Sequence, residues 1–355
     1  MLEKIKLGKR KISNSYPPLV IAEISANHNN SLKNTLKMIE DAAKIGVEAI
    51  KVQTFDLDEM TLNLNHKEFL IKKQFKNKKW NKRSLYNLYS EAQLPFEWHK
   101  KIFEKAKSLG LICFSSVFDL KSLKLLEKLN VPAYKIASLE SLHFPLIAEV
   151  CKTKKPLIIS TGTLNEKEID KLIKFLRRKK FKNFAILHCV TEYPAKFKNI
   201  NLRFIKKIKK KYNCVTGFSD HTKGVGAAIS SVAFGALIIE KHFKGDSKKY
   251  SLDDEFSLDN KNMKILVNEV KNSWDSIGKN KLNLSKAEKI YKRYRRSIYV
   301  SKEIRKGEVF TKNNLRVIRP GLGLEPEYFE KVLGKISKRN LKKGDALKKD
   351  FVKFY

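Results

Sequence analysis

Short apolar runs alternate along this chain with longer stretches whose apolar positions recur at helical spacing. The runs lie at 19–25, 49–55, 111–118, 133–139, 156–161, 184–191, 215–219 and 236–243. Between them, 32–45 places Leu32, Leu36, Ile39 and Ala43 near a period of about 3.6, as one face of a helix requires. The stretch 98–109 turns Ile102, Phe103 and Ala106 inward. Another helix, 166–176, has an acidic first turn, with Thr163 as its expected cap. Gly46, Gly110 and Gly235 fall at or near helix ends, where a left-handed residue often closes the helix. Eight strands alternating with helices predict a parallel α/β architecture, and eight strands close a (β/α)8 TIM barrel. A doubly wound open sheet is the alternative. It calls for a glycine-rich dinucleotide turn after a strand, and the sequence has none.

Two stretches interrupt the alternation. Residues 56–94 are too long for a plain loop and carry Phe69, Phe75, Trp80, Tyr86 and Tyr89. Long insertions after a barrel strand usually lie over the active-site face, so a partly helical lid or wall is expected. After a last barrel helix near 261–277 the pattern changes. Ser301-Lys302-Glu303-Ile304-Arg305-Lys306-Gly307-Glu308 is echoed by Ser337-Lys338-Arg339-Asn340-Leu341-Lys342-Lys343-Gly344-Asp345, which suggests two turns of a small β-rich domain. The expected division is a barrel over 1–280, a basic linker over 281–296 and the small domain over 297–355.

Composition narrows the classes. Hydrophobic residues make up 42% of 355, enough for a large core. No apolar run approaches the ~18 residues of a membrane span, and the basic N-terminus lacks the apolar stretch of a secretory signal. Cys113, Cys151, Cys189 and Cys214 are scattered with no CxxC pair, which fits a reducing cytoplasm. The net charge of +38 raises the question of nucleic acid. The excess is spread over nearly every helix, with no zinc-finger spacing and no aromatic RNA-binding signature. It therefore reads as solvated helix faces that steer anionic small molecules, with neither a nucleic acid nor a membrane as partner.

Candidate chemistry collects at the C-terminal ends of the eight strands, the end that carries catalysis in barrels. The first strand ends at Glu23, followed by Asn27-His28-Asn29. The second supplies Lys51 and Gln53, the third Ser115 and Ser116, and the fourth Lys135, Ser138 and Glu140. Ser160 and Thr161 end the fifth. His188, Thr191, Glu192 and Tyr193 follow on the sixth, Ser219, Asp220 and His221 on the seventh, and Glu240 and His242 on the eighth. Strand side chains alternate faces, so Ser219 with His221, and Glu240 with His242, point the same way. Neighbouring strands would bring both imidazoles together as a catalytic divalent-metal site. Lys51 and Lys135 interrupt apolar runs, and a buried Lys needs a partner. Two cations and several hydroxyls on one face suit a doubly charged anion, such as a phosphate beside a carboxylate.

Together these residues resemble the sialic acid synthase family. The segments that carry the resemblance are Glu23-Ile24-Ser25-Ala26-Asn27-His28-Asn29, Lys51-Val52-Gln53-Thr54, Tyr134-Lys135-Ile136-Ala137-Ser138, Ser160-Thr161-Gly162, Phe218-Ser219-Asp220-His221-Thr222 and Glu240-Lys241-His242-Phe243. Ser25-Ala26 is similar to one branch of that family, where others have Gly-Val or Gly-Ile. The resemblance covers essentially the whole chain. It implies a barrel followed by a small antifreeze-like (SAF) domain, and condensation of phosphoenolpyruvate with an open-chain acylamino sugar. It implies that His221 and His242 hold manganese or magnesium. Lys51, Ser116 and Lys135 would hold the carboxylate of phosphoenolpyruvate. Ser138, Ser160, Thr191 and Ser219 would surround its phosphate. Glu23 would serve acid/base work near the metal, and Asp253 the sugar hydroxyls. Gln53, Glu140 and Tyr193 complete the candidate substrate-binding set. Arg319, in Arg319-Pro320-Gly321-Leu322-Gly323, would reach the sugar from the small domain of a partner subunit, implying a domain-swapped homodimer. Two readings compete within enzymes: the same chemistry on a mannose-type sugar, and a metal-independent aldolase using Lys51 or Lys135 as a Schiff base.

Overall fold

The computed structural model describes residues 4–71, 80, 83–246, 250–278 and 281–354. The chain divides into two compact units, Met1–Gly278 and Lys279–Tyr355. The first opens with an antiparallel hairpin, β1 (Ile5–Leu7) and β2 (Arg10–Ile12). Eight parallel strands follow: β3 (Leu19–Glu23), β4 (Ala49–Thr54), β5 (Ile112–Val117), β6 (Tyr134–Ile136), β7 (Leu157–Ser160), β8 (Phe184–Cys189), β9 (Val215–Asp220) and β10 (Ile238–His242). They pair in chain order, and β10 pairs with β3 to close the barrel.

Both faces of these strands are buried, which is why they read as continuous apolar runs. Leu19, Ile21, Phe114, Ile158, Leu187 and Ile238 fill the barrel interior. Ile5, Leu7 and Ile12 of the hairpin belong to the same cluster and plug its N-terminal end. The hairpin was not anticipated from the sequence. Alternate residues such as Ile50, Val52, Phe218 and Ile239 face the helix layer with Met38, Ile39 and Ile102.

Helices Leu32–Ile45 and His99–Ser108 fall where periodicity placed them. Gly46 closes the first with φ of 92°. The helix Glu166–Arg178 is capped differently from the expectation. Asn165 accepts from the Glu168 amide in a reciprocal capping box, whereas Thr163 sits two residues upstream with φ of 68°. The insertion carries the helices Leu57–Met60 and Leu85–Ala92, and Ile71, Leu88 and Trp80 cluster with Ala26 and Leu252. Phe69 and the Tyr86–Tyr89 turn lie in this segment, and Phe75 lies outside the described residues. No helix among the described residues is long and apolar enough to cross a membrane.

The second unit begins with a short helix, Lys286–Tyr291, and builds two small antiparallel sheets. These are β11 (Ser297–Val300) with β12 (Leu315–Ile318), and β13 (Ile336–Ser337) with β14 (Val352–Lys353). The two echoed segments pair with each other through reciprocal backbone bonds between Ile304 and Leu341. Each turns at its glycine, Gly307 with φ of 87° and Gly344 with φ of 96°, a region open to glycine without a steric cost.

Candidate active site

Barrel closure assembles the site. The register sets His242 opposite Glu23, and Glu23 opposite Lys51 on the next strand. On the other side β10 pairs with β9, Glu240 opposite Ser219, which carries His242 to His221. The two imidazole centroids are 5.4 Å apart. His221 and His242 are 6% and 7% exposed.

Each lysine has a carboxylate partner. Lys51 Nζ contacts Glu23 Oε2, lies 3.8 Å from Glu240 Oε2 and donates to Ser116 Oγ at 2.9 Å. Lys135 Nζ lies 3.5 Å from Glu240 Oε1, which also accepts from Ser219 Oγ at 3.0 Å. Burial raises the Glu240 carboxyl, but Lys135, Lys51 and the Ser219 hydroxyl outweigh it and hold the group down at about 2. Burial pushes the Glu23 carboxyl up, and Glu240 adds to this against the pull of Lys51. Burial also lowers the Lys135 ammonium, with Glu240 opposing. Glu240 is thus the hub between both cations. The sequence pattern put it beside His242 but gave it no role of its own.

Next to this network lies a cradle of hydroxyls. Ser138 Oγ accepts from the Gly162 amide at 3.0 Å and also hydrogen-bonds the Cys189 side chain. Ser160 Oγ and Thr191 Oγ1 are buried with no hydrogen-bond partner. A Cβ at Gly162 would stand 2.1 Å from Thr191 Oγ1 and 2.7 Å from Ser138 Oγ, so only glycine leaves this concavity open. Unpartnered buried hydroxyls cost stability, and a bound anion would satisfy them. Glu140 follows Ser138 in a single 3₁₀ turn, and burial lifts its carboxyl to about 7 against the pull of Lys135.

Around the imidazoles, the Tyr193 ring stands 4.4 Å from His221, 5.2 Å from Phe256 and 5.4 Å from Trp80. Trp80 thus brings the insertion to the edge of the site. Gln53 Nε2 donates to Ser25 Oγ at 2.9 Å. Asp253, from the loop after β10, accepts from the Ala26 amide at 3.3 Å and stands 3.6 Å from His242 Nδ1. Asn27 ties the same loop down through Phe243 O and Ser257 Oγ. His28 bonds Ala92 O and His188 bonds Ile200 O, so these two imidazoles serve structure. Arg319 belongs to the second unit, where it is exposed just beyond β12.

A divalent metal fits the imidazole pair. His221 Nδ1 donates to Val190 O at 2.9 Å, which fixes the lone pair on Nε2. His242 Nδ1 is buried and faces the Asp253 carboxylate at 3.6 Å. Among the described residues no group of three or more His, Cys, Asp and Glu side chains is arranged to hold a metal ion, so the two imidazoles would need further oxygen ligands from substrate or water.

A closed barrel with lysines, hydroxyls and an imidazole pair at one end, followed along the chain by a β-rich unit, defines a class. The chain matches the NeuB family over residues 38–282 and the SAF domain over residues 295–353, and it belongs to the NeuB family of synthases. It is 41% identical to the pseudaminic acid synthase of Campylobacter jejuni subsp. jejuni, covering 93% of this chain and 95% of the relative. It is 37% identical to the pseudaminic acid synthase of Helicobacter pylori, over 94% and 97% of the two chains. Among solved structures, the N-acetylneuraminic acid synthetase of Leptospira borgpetersenii superposes with a TM-score of 0.72 at 30% identity, covering 82% of this chain and 95% of that one.

Proposed function

We propose that this chain is a pseudaminic acid synthase. It condenses phosphoenolpyruvate with 2,4-diacetamido-2,4,6-trideoxy-L-altrose to give a nonulosonic acid and inorganic phosphate. The observation that carries this reading is the open hydroxyl cradle at Ser138, Ser160 and Thr191, alongside two buried lysines and beside the His221 and His242 imidazole pair. That set suits one small molecule bearing a phosphate and a carboxylate, next to a polarised carbonyl. The choice of sugar rests on the relatives, three of which carry the name of this activity.

Lys51, Ser116 and Lys135 hold the carboxylate of phosphoenolpyruvate, and Ser138, Ser160 and Thr191 its phosphate. Ser219 joins them once its proton turns from Glu240. Glu23 and Glu240 keep the lysines neutralised until the substrate anion competes for them. His221 and His242 would hold a manganese or magnesium ion, which would supply Lewis-acid polarisation of a carbonyl when bound. The methylene carbon of phosphoenolpyruvate forms a bond to the aldehyde carbon, and water adds at the enol carbon. Cleavage of the C–O bond then releases phosphate. Glu23, a carboxyl raised by burial and next to His242 in register, moves the proton that the new hydroxyl requires. Gln53, Glu140, Tyr193 and Asp253 line the sugar side, and Arg319 comes from the small domain of a second copy in a domain-swapped dimer. In this reading the synthase domain runs over 1–280 and the SAF domain over 297–355, joined by 281–296.

The test is phosphate release from phosphoenolpyruvate with the altrose derivative, its mannose isomer and N-acetylmannosamine, each with manganese and after chelation. Release with the altrose sugar alone, abolished by chelator, is expected. Release with a mannose-type sugar instead moves the activity within the family. Metal-independent turnover with borohydride trapping points to the Schiff-base alternative.

A further inference from the structure

One register step before the two imidazoles, the barrel holds an ion pair that the reaction leaves unused. β9 and β10 set Asp220 opposite Lys241, and both side chains are 0% exposed. Strand alternation puts them on the helix-facing side, opposite Ser219, Glu240 and His242. Phe218, Ile239 and Phe243 of that side belong to the apolar layer between strands and helices. A charged pair in such a layer adds little net stability over well-packed apolar side chains of the same volume. What it supplies is fixed geometry.

That geometry converges on one residue. Lys241 Nζ donates to Asp220 Oδ2 at 2.9 Å and also to the Thr222 carbonyl. Asp220 Oδ1 accepts from the Thr222 amide at 2.8 Å. Both polar groups of the Thr222 backbone are therefore held by the pair. His221 lies between Asp220 and Thr222, so its backbone is pinned on both sides, and its own carbonyl accepts from Ala195 N at 2.9 Å. His242 directly follows Lys241 on the partner strand, so the same pair fixes the start of both imidazole side chains.

We propose that Asp220 and Lys241 form a positioning clamp that holds His221 and His242 at metal-binding separation. The proposal rests on the metal reading above. Outer groups that orient metal ligands typically cost about 10–100-fold in metal affinity when removed. The test measures manganese binding by calorimetry, with no substrate present, alongside the unfolding temperature. The double variant Asp220→Leu with Lys241→Met removes the charges and keeps the volume. It is expected to fold and to bind manganese about 10–100-fold more weakly than wild type. Asp220→Asn is the second variant, since it preserves shape but replaces one of the two oxygens, which serve Thr222 N and Lys241 Nζ separately, with an NH2 donor that faces another donor. It is expected to lose affinity by several-fold or more. A folded variant of either kind that binds manganese as tightly as wild type overturns the clamp. A purely structural role would lower the unfolding temperature and leave the affinity of the folded protein unchanged. Absence of manganese binding by the wild type sinks the metal reading and the clamp with it, and that outcome is distinct from wild-type binding that the substitutions do not alter.

Discussion

Gly162→Ala isolates the hydroxyl cradle from every other part of the site. Gly162 does not adopt positive φ, so alanine meets no backbone strain there. The added methyl instead collides with side chains, at 2.1 Å from Thr191 Oγ1 and 2.7 Å from Ser138 Oγ. Contacts this short require both hydroxyls to rotate away, and the methyl then occupies the space they enclosed. A hydrogen bond to a charged group is worth about 1.5–3 kcal/mol, so losing two phosphate contacts costs about 3–6 kcal/mol. At about 1.4 kcal/mol per tenfold, kcat/KM for phosphoenolpyruvate falls at least ~100-fold. The unfolding temperature falls by several degrees, because rotating Ser138 breaks its bond from the Gly162 amide and the added methyl overpacks the turn by about 1–3 kcal/mol. The assay is steady-state phosphate release with phosphoenolpyruvate varied at saturating sugar, paired with a thermal melt. A folded Gly162→Ala enzyme with a kcat/KM for phosphoenolpyruvate within twofold of wild type would refute the cradle as the phosphate site.

Three further outcomes follow from the same geometry. Glu140 is lifted from the ordinary 4.5 to about 7 by burial, so the folded state binds its proton more tightly than the unfolded state does. Stability then falls as pH rises from about 4.5 through 7, by up to about 3 kcal/mol, and Glu140→Gln should flatten that slope in urea unfolding at pH 5 and pH 8. Glu240 is the only carboxylate within ion-pair distance of Lys135 among the described residues, so Glu240→Ala strands a buried cation. It should destabilise the barrel by about 3–5 kcal/mol in urea, while Glu240→Leu with Lys135→Met recovers most of the loss; equal stabilities for the two variants would contradict the pairing. Arg319 is exposed, so Arg319→Ala should leave the melt unchanged and raise KM for the sugar more than for phosphoenolpyruvate; an unchanged sugar KM removes it from the substrate site.

The eight barrel strands were legible because burial on both faces writes them as unbroken apolar runs. The hairpin was not, since β1 and β2 are three residues each and their apolar positions, Ile5, Leu7 and Ile12, are diluted by lysines. Polar residues mislead for a related reason: a side chain that serves the backbone looks in sequence like one that serves a ligand. Asn27 and His28 sit in a distinctive segment, yet their atoms are spent on Phe243 O, Ser257 Oγ and Ala92 O. Lys241 is the opposite case. It interrupts an apolar run as Lys51 and Lys135 do, and the same reasoning should have singled it out as needing a partner. Strand parity would have separated it from them, because it lies between Glu240 and His242 and so faces away from the site.

Charge compensation was beyond reach for a deeper reason. Two lysines at strand ends read as an anion hole because their carboxylates are remote in the chain. Glu23 lies on the first barrel strand and Glu240 on the last, 217 positions apart, and they meet at Lys51 only through closure. Composition cannot register that event, and no local pattern encodes it. What encodes it is the pairing of β10 with β3, which sets His242 against Glu23 and thereby joins the imidazole pair to the lysine network. A slip of β3 by one residue against β10 would turn Glu23 toward the helices and away from His242. The chemistry of this end of the barrel is therefore fixed by one strand pair, the one that closes the ring.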